Sequence, residues 1–186
     1  MEPVLTATDA LIIVDVQNDF MPGGRLPVPE GDAVVPVVNG WTRAAVRGKA
    51  VTAVSRDWHP ADHSSFQENK GPWPVHCVKD SWGAAFHPNL ELPADVILVT
   101  KGDHPEQDEY SAFGSAGLGP ELRRLGVTRI FVCGLALDVC VKATVLDGLR
   151  LGFETSVILT AARPVDKTSG ERAVTEMRLA GARIVE

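Results

Sequence analysis

Six short runs rich in Val and Ile recur along this chain, at residues 11–16, 50–55, 95–100, 128–133, 155–160 and 183–185. Each is nearly continuous in apolar character rather than alternating, which is the signature of strands buried on both faces. The segments between most of them carry a different period. Residues 33–48 space Val34, Val37, Val38, Trp41, Ala44 and Ala45 at helical intervals, and 137–151 and 166–180 repeat the pattern. Gly48, Gly126, Gly152 and Gly181 stand where a helix hands over to the next strand. Strand and helix in alternation require right-handed crossovers, so the expected class is α/β with a mainly parallel sheet covered by helices.

At 186 residues the chain fits a single domain over 1–186. The net charge is -6, and Lys and Arg are nowhere dense enough to neutralise a run of phosphates, so no nucleic-acid partner is expected. Residues 1–10 are polar and carry two acids, unlike a secretory leader. No apolar run approaches the roughly twenty residues that span a bilayer, so no membrane partner is expected either. Cys77, Cys133 and Cys140 are odd in number and lack Cys-x-x-Cys spacing, which leaves reduced thiols and a cytoplasmic protein as the expectation.

Parallel sheets place chemistry at the carboxyl ends of their strands. Asp15, Asp57, Lys101 and Cys140 each fall at such an end, so residues distant in sequence are expected to share one cleft. Cys140 lies between a strand and the body of the next helix, where a helix terminus and backbone N–H groups are expected to lower its pKa. A lone cysteine is more often a small buried hydrophobe, and Cys133 and Cys77 are read that way. Lys101 could equally be a solvated strand end. Asp15 interrupts an apolar string, where an ionised carboxylate needs a partner or a capping role. Placed together, the three would share one negative charge between carboxylate and thiol, held by the ammonium.

The long irregular stretch at 56–93 gathers Asp57-Trp58-His59, His63 and His76, and long insertions of this kind are usually functional. Asp and His at i and i+2 share one side of an extended segment. A further His would complete a carboxylate and two imidazoles, with positions left open on the ion as catalytic metal sites have. His63 is a further candidate ligand or a supporting residue, Glu68 a weaker candidate, and His87 and His104 read as surface residues. A polar loop with chance histidines is the plain alternative.

Together the motifs LIIVDVQNDF (11–20), RDWHPADHSSF (56–66), WPVHCV (73–78), Lys101-Gly102, YSAF (110–113) and GLALDVCV (134–141) resemble the nicotinamidases of the isochorismatase-like hydrolase superfamily. The match runs in order over nearly the whole chain. The resemblance implies a three-layer αβα fold on a six-stranded parallel sheet, with a metal-binding loop insertion at about 56–93. It implies Asp15 as general base, Lys101 as its partner and Cys140 as nucleophile, with a cis peptide before Ala136 and an oxyanion hole from the Ala136 and Cys140 N–H groups. One divalent metal ion would be held by Asp57, His59 and His76, zinc being the first choice and iron and manganese alternatives. Phe20, Trp73 and Tyr110 would hold the substrate ring, its nitrogen on the metal. The implied reaction is deamidation of nicotinamide in NAD salvage; whether pyrazinamide is also cleaved and whether the protein is a homo-oligomer stay open. Leu137 and Val139 replace the Thr and aromatic or His of many members, so a more apolar or roomier pocket wall is expected beside the nucleophile. The rivals are another small-amide hydrolase of the superfamily, an inactive metal-binding or scaffold protein, and a redox thiol protein, which the lack of a resolving cysteine weakens.

Overall fold

The Val- and Ile-rich runs have no polar face to offer to solvent, so they pair with one another in the interior. The structure, a computed structural model, describes residues 4–114 and 117–186; residues 1–3 of the unit expected over 1–186 lie outside the described residues. The strands are β1 (Asp9–Val14), β2 (Val51–Asp57), β3 (Ile97–Lys101), β4 (Arg129–Leu135), β5 (Glu154–Arg163) and β6 (Arg183–Val185). They form one six-stranded sheet in the order β3-β2-β1-β4-β5-β6. The sheet expected to be mainly parallel is parallel in every pairing.

Successive side chains of a strand point to opposite faces, and β1 shows what that produces. Ala10, Ile12 and Val14 enter one core and Leu11 and Ile13 the other. Helix α1 (Val34–Gly48) closes the second of these through Val34, Val35, Val38, Ala44 and Ala45. On the other face α2 (Leu118–Arg124), α3 (Lys142–Arg150) and α4 (Lys167–Leu179) contribute Leu118, Leu122, Val145, Ala173 and Met177. Helices therefore cover both faces, giving three layers. Each fully buried Val, Leu or Ile is worth about 1.5–3 kcal/mol, more than any helix propensity difference, so packing decides where these elements lie.

Several element boundaries differ from the sequence pattern. β1 stops before Asp15, whose φ of 49° turns the chain out of the strand expected over 11–16. α2 is marked in that pattern only by Gly126 after its end, its span going unread because Gly119 and Pro120 interrupt its short apolar face. The helix expected over 137–151 is divided into a π-helical turn, Leu137–Val141, and α3. The long stretch expected at 56–93 begins one residue after β2 ends at Asp57 and runs to β3, with a single 3-10 turn at Gln67–Asn69 among its described residues.

From β1 the chain builds outward through β2 to β3, then returns to add β4 on the other side of β1. The connections leaving β1 and β4 diverge, and such a switch point opens a crevice at the carboxyl ends of the strands. Asp15 follows β1 and the Cys140 turn follows β4, so they flank this crevice. Gly134 makes the close approach there: its φ is 110°, and a Cβ would stand 2.0 Å from the Val14 carbonyl oxygen. The β4–β5 register also shifts between Val132 and Gly134, and a bulge of this kind re-aims the residues that follow it.

Candidate active site

Asp15 is held where β1 ends. Its N–H donates to the Ser55 carbonyl at 3.2 Å, and the Ser55 hydroxyl donates to Oδ1 at 2.7 Å. Lys101, the last residue of β3, reaches back across the strand ends. Its Nζ lies 2.8 Å from Asp15 Oδ2, donates to Cys140 Sγ at 3.6 Å, and also contacts Asp57 Oδ1. Asp15 is 0 %, Lys101 1 % and Cys140 6 % exposed, so the cluster is shielded from bulk water. The three residues that the sequence placed at separate strand ends thus meet at one ammonium.

Burial sets the resting protonation. It pushes the Asp15 carboxyl up to about 6, against the pull of Lys101 and with a further push from Asp57. Burial would lower the Lys101 ammonium, but Asp15 and Asp57 together raise it well above the ordinary range. The expectation of a lowered thiol pKa is corrected here: burial first, then the two carboxylates, hold Cys140 well above its usual value, and Lys101 offsets this only in part. A helix terminus supplies up to about 2 kcal/mol, which is less than desolvation of a fully buried charge demands. At neutral pH the proton therefore sits on sulfur beside an ionised Asp15.

Directly beside this cluster, joined to it through Asp57, stands the second set. Asp57 Oδ2 lies 3.7 Å from His59 Nε2 and 3.9 Å from His76 Nε2, and one ligand atom from each residue falls within 4.8 Å of the others. His59 Nδ1 pairs with the Gly102 carbonyl at 2.9 Å and His76 Nδ1 with the Pro74 carbonyl at 2.7 Å. A ring nitrogen facing a carbonyl must carry the proton, which leaves each Nε2 with its lone pair toward Asp57, as metal-ligating imidazoles are arranged. The donor set therefore fits a divalent cation. Burial would raise the Asp57 carboxyl, but the Lys101 ammonium holds it well below the carboxylate range, so it stays charged. Gly102 is required here: a Cβ at its φ of 62° would fall 2.4 Å from the His59 ring. Phe66, fully buried, sits 5.6–5.7 Å from the rings of His59, His63 and His76 and forms an apolar floor beneath them.

His63 stands beside this set and outside it. Its ring lies 4.2 Å from that of His59, but Nδ1 is engaged by the Ser65 hydroxyl at 2.7 Å and Nε2 by the Gln107 carbonyl at 3.0 Å. Glu68 is exposed on the 3-10 turn and takes no part. His104 is exposed as expected, whereas His87 is half-buried and donates its backbone N–H to the Val16 carbonyl at 2.9 Å.

Phe20, Trp73 and Tyr110 line the cleft together with His59, His76 and Cys140. Trp73 Nε1 donates to the Tyr110 hydroxyl at 3.1 Å, which donates to Asp108 at 2.6 Å. Burial and then Asp108 push the phenol up to about 12, so Tyr110 keeps its proton. Val139 lines the cleft, but Leu137 is packed into the core against which α3 and α4 rest, so the apolar substitution beside Cys140 bears on the pocket through Val139 alone. The peptide between Leu135 and Ala136 is cis, as the resemblance implied.

Sequence reading missed the residues that hold the others. Gln17 accepts from the Asp57 N–H at 2.8 Å and donates to the Asp57 carbonyl at 2.7 Å, clamping the metal-facing carboxylate from behind. Ser55 orients Asp15, and Leu26, Val28 and Val165 complete the apolar lining. The one signal available in the sequence was a glutamine directly following an apolar run, and the structure buries it completely.

Fold and site together define an α/β protein in which a buried thiol, ammonium and carboxylate adjoin a set of residues fit to hold a cation, thiol and set lining one cleft. The chain belongs to the isochorismatase family, whose domain model matches residues 9–186. It is 42 % identical to a nicotinamidase of Escherichia coli K12 over 93 % of this chain and 92 % of that protein. Among solved structures, the pyrazinamidase of Pyrococcus horikoshii in complex with zinc superposes with a TM-score of 0.94 at 44 % identity, covering 96 % of this chain and 99 % of that one. PnC1 from L. infantum in complex with nicotinate gives 0.91 at 35 % identity, covering 100 % and 96 %.

Proposed function

We propose that this protein is an amidohydrolase that converts nicotinamide and water into nicotinate and ammonia through a thioester on Cys140. The observation that supports this most directly is the buried ammonium of Lys101 set between Asp15 and Cys140, 2.8 Å and 3.6 Å away, with Cys140 lining the same cleft as Asp57, His59 and His76. The nicotinamidase and pyrazinamidase relatives support the substrate class.

Asp15, ionised at neutral pH, takes the Cys140 proton as sulfur attacks the carboxamide carbon. A unit charge near 4 Å is worth about 4 kcal/mol at an effective dielectric of about 20, so Lys101 holds the negative charge as it passes from carboxylate to sulfur. The Ala136 and Cys140 N–H groups serve as the oxyanion hole. Asp15 returns the proton to departing ammonia, then deprotonates the water that splits the thioester and frees nicotinate and thiol. Phe20, Trp73 and Tyr110 hold the ring so that the carbonyl meets the thiol in a productive orientation.

Asp57, His59 and His76 would hold a divalent ion, zinc before iron or manganese. When bound it supplies a Lewis-acidic position for the ring nitrogen. Pyrazinamide has a nitrogen in the same relation to its carboxamide and belongs to the same substrate class. Three unpaired buried thiols suit a reducing compartment, which supports a cytoplasmic place in NAD salvage. Release of ammonia from nicotinamide by the zinc-loaded protein tests the reading. Release from benzamide at an equal rate would remove the ring nitrogen from recognition, and no release from nicotinamide would overturn the assignment.

A further inference from the structure

We propose that Asp138 is a positioning residue for the nucleophile, tying the Cys140 turn and one wall of the cleft to the start of α4; this rests on the reading of Cys140 as nucleophile. Asp138 lies two residues before Cys140 inside the π-helical turn. Its carboxylate reaches across to the connection between β5 and α4. Oδ1 accepts from the Val165 N–H at 2.9 Å, while Oδ2 accepts from the Ser169 hydroxyl and from the Asp166 N–H at 3.4 Å. Val165 lines the cleft, so one side chain holds both the turn that carries the sulfur and a residue of the opposing apolar lining.

The far end of this tie is firm. Asp166 caps α4 by accepting from the Ser169 N–H at 3.0 Å, and Ala173 and Met177 anchor the helix in the core. The near end is the part that needs holding. A π-helical turn is a rare local widening of the helix, and here Val139 and Val141 both donate to the single Ala136 carbonyl. A half-exposed carboxylate in such a turn would ordinarily be solvated, yet both of its oxygens are engaged by a neighbouring element. Asp138 does not line the cleft, so it acts through the placement of Cys140. Displacement of a reacting atom by about 1 Å costs about a hundredfold in rate.

The test compares Asp138→Ala, Asp138→Asn and Ser169→Ala in zinc-loaded protein, by nicotinamide kinetics, by the rate of Cys140 alkylation with iodoacetamide, and by melting. Asp138→Ala should lower kcat by about ten- to a hundredfold and slow alkylation, with KM within about threefold of wild type. In Asp138→Asn the amide oxygen still accepts from Val165 and the amide N–H can donate to Ser169, with only the long 3.4 Å bond from the Asp166 N–H lost, so kcat should recover to within about fivefold of wild type. Ser169→Ala should fall between. Folded Asp138→Ala with kcat and alkylation within about twofold of wild type overturns the proposal, and so does a loss that the Asn variant does not recover. If Asp138→Ala does not fold, Ser169→Ala decides alone: slowed alkylation at near-native melting supports the tie, and an unchanged rate overturns it. Should wild type itself release no ammonia from nicotinamide, the substrate reading fails while the alkylation series still decides the role of Asp138.

Discussion

Two buried cysteines separated by seven positions in sequence have different surroundings, and the roles proposed for them follow from what each sulfur touches. Cys133 is in β4 with its sulfur donating to the Ile12 carbonyl at 3.7 Å, and burial alone raises its pKa. Cys140 faces Lys101. Replacing Cys140 with Ala should lower ammonia release by about 10³-fold or more while nicotinamide still binds by calorimetry. Cys133→Ala should leave the rate near wild type and cost about 1 kcal/mol of stability. The base gives a second prediction. Asp15 titrates near 6 in the folded protein, and below that value it carries the proton that it must accept, so kcat/KM should fall about tenfold per unit as pH drops through 6. A profile flat from pH 7 to 5 would remove Asp15 as the base. Asp15, Lys101 and Cys140 were legible because each is a polar or reactive residue at the end of an apolar run. Ser55, Gln17 and Phe66 were not, because their roles depend on which strand end or ring lies beside them, and only the sheet order decides that.

At the scale of elements, β1 and β4 are joined at their amino ends as well as along their ladder. Asp9 is 1 % exposed and accepts from Arg129 Nε and Nη2 at 2.8 Å each, and from the Thr6 N–H at 2.7 Å. Burial pushes its carboxyl up, but the bonds from Arg129 and Thr6 outweigh this and bring it below the ordinary 3.8. A depressed carboxyl stabilises the fold above the unfolded pKa, and that contribution is lost as pH falls through the folded value. Asp9→Asn should therefore cost about 1–2 kcal/mol at pH 7, read as a melting temperature lower by about 3–6 °C. The gap to wild type should close as pH falls through the lowered Asp9 carboxyl, and a gap that persists once that carboxyl is protonated would mean that Asn perturbs packing instead. The strands were legible from their continuous apolar character. The extension of β5 to Arg163, the span of helix α2 and the π-helical turn were not, since each follows from what the segment packs against rather than from its own period.

For the whole molecule, the sheet order assembles one working site from segments more than a hundred residues apart, and the two halves of that site can be tested separately by removing metal. Chelation should abolish nicotinamide turnover and weaken nicotinamide binding, while Cys140 remains alkylatable, because Lys101 and Asp15 hold the sulfur without the ion. Full turnover in rigorously metal-free protein would sink the assignment of Asp57, His59 and His76. The halves nevertheless meet in one side chain. Asp57 turns Oδ2 to the imidazoles and Oδ1 to Lys101. Losses from Asp57→Asn and Lys101→Met should consequently overlap in a double-mutant cycle instead of adding, with a coupling of about 0.5–3 kcal/mol. A lineage descended from this protein could not shed its ion and keep its chemistry by changing Asp57, because the same step would strip the ammonium of half its counter-charge; any drift away from metal use would have to begin at the histidines.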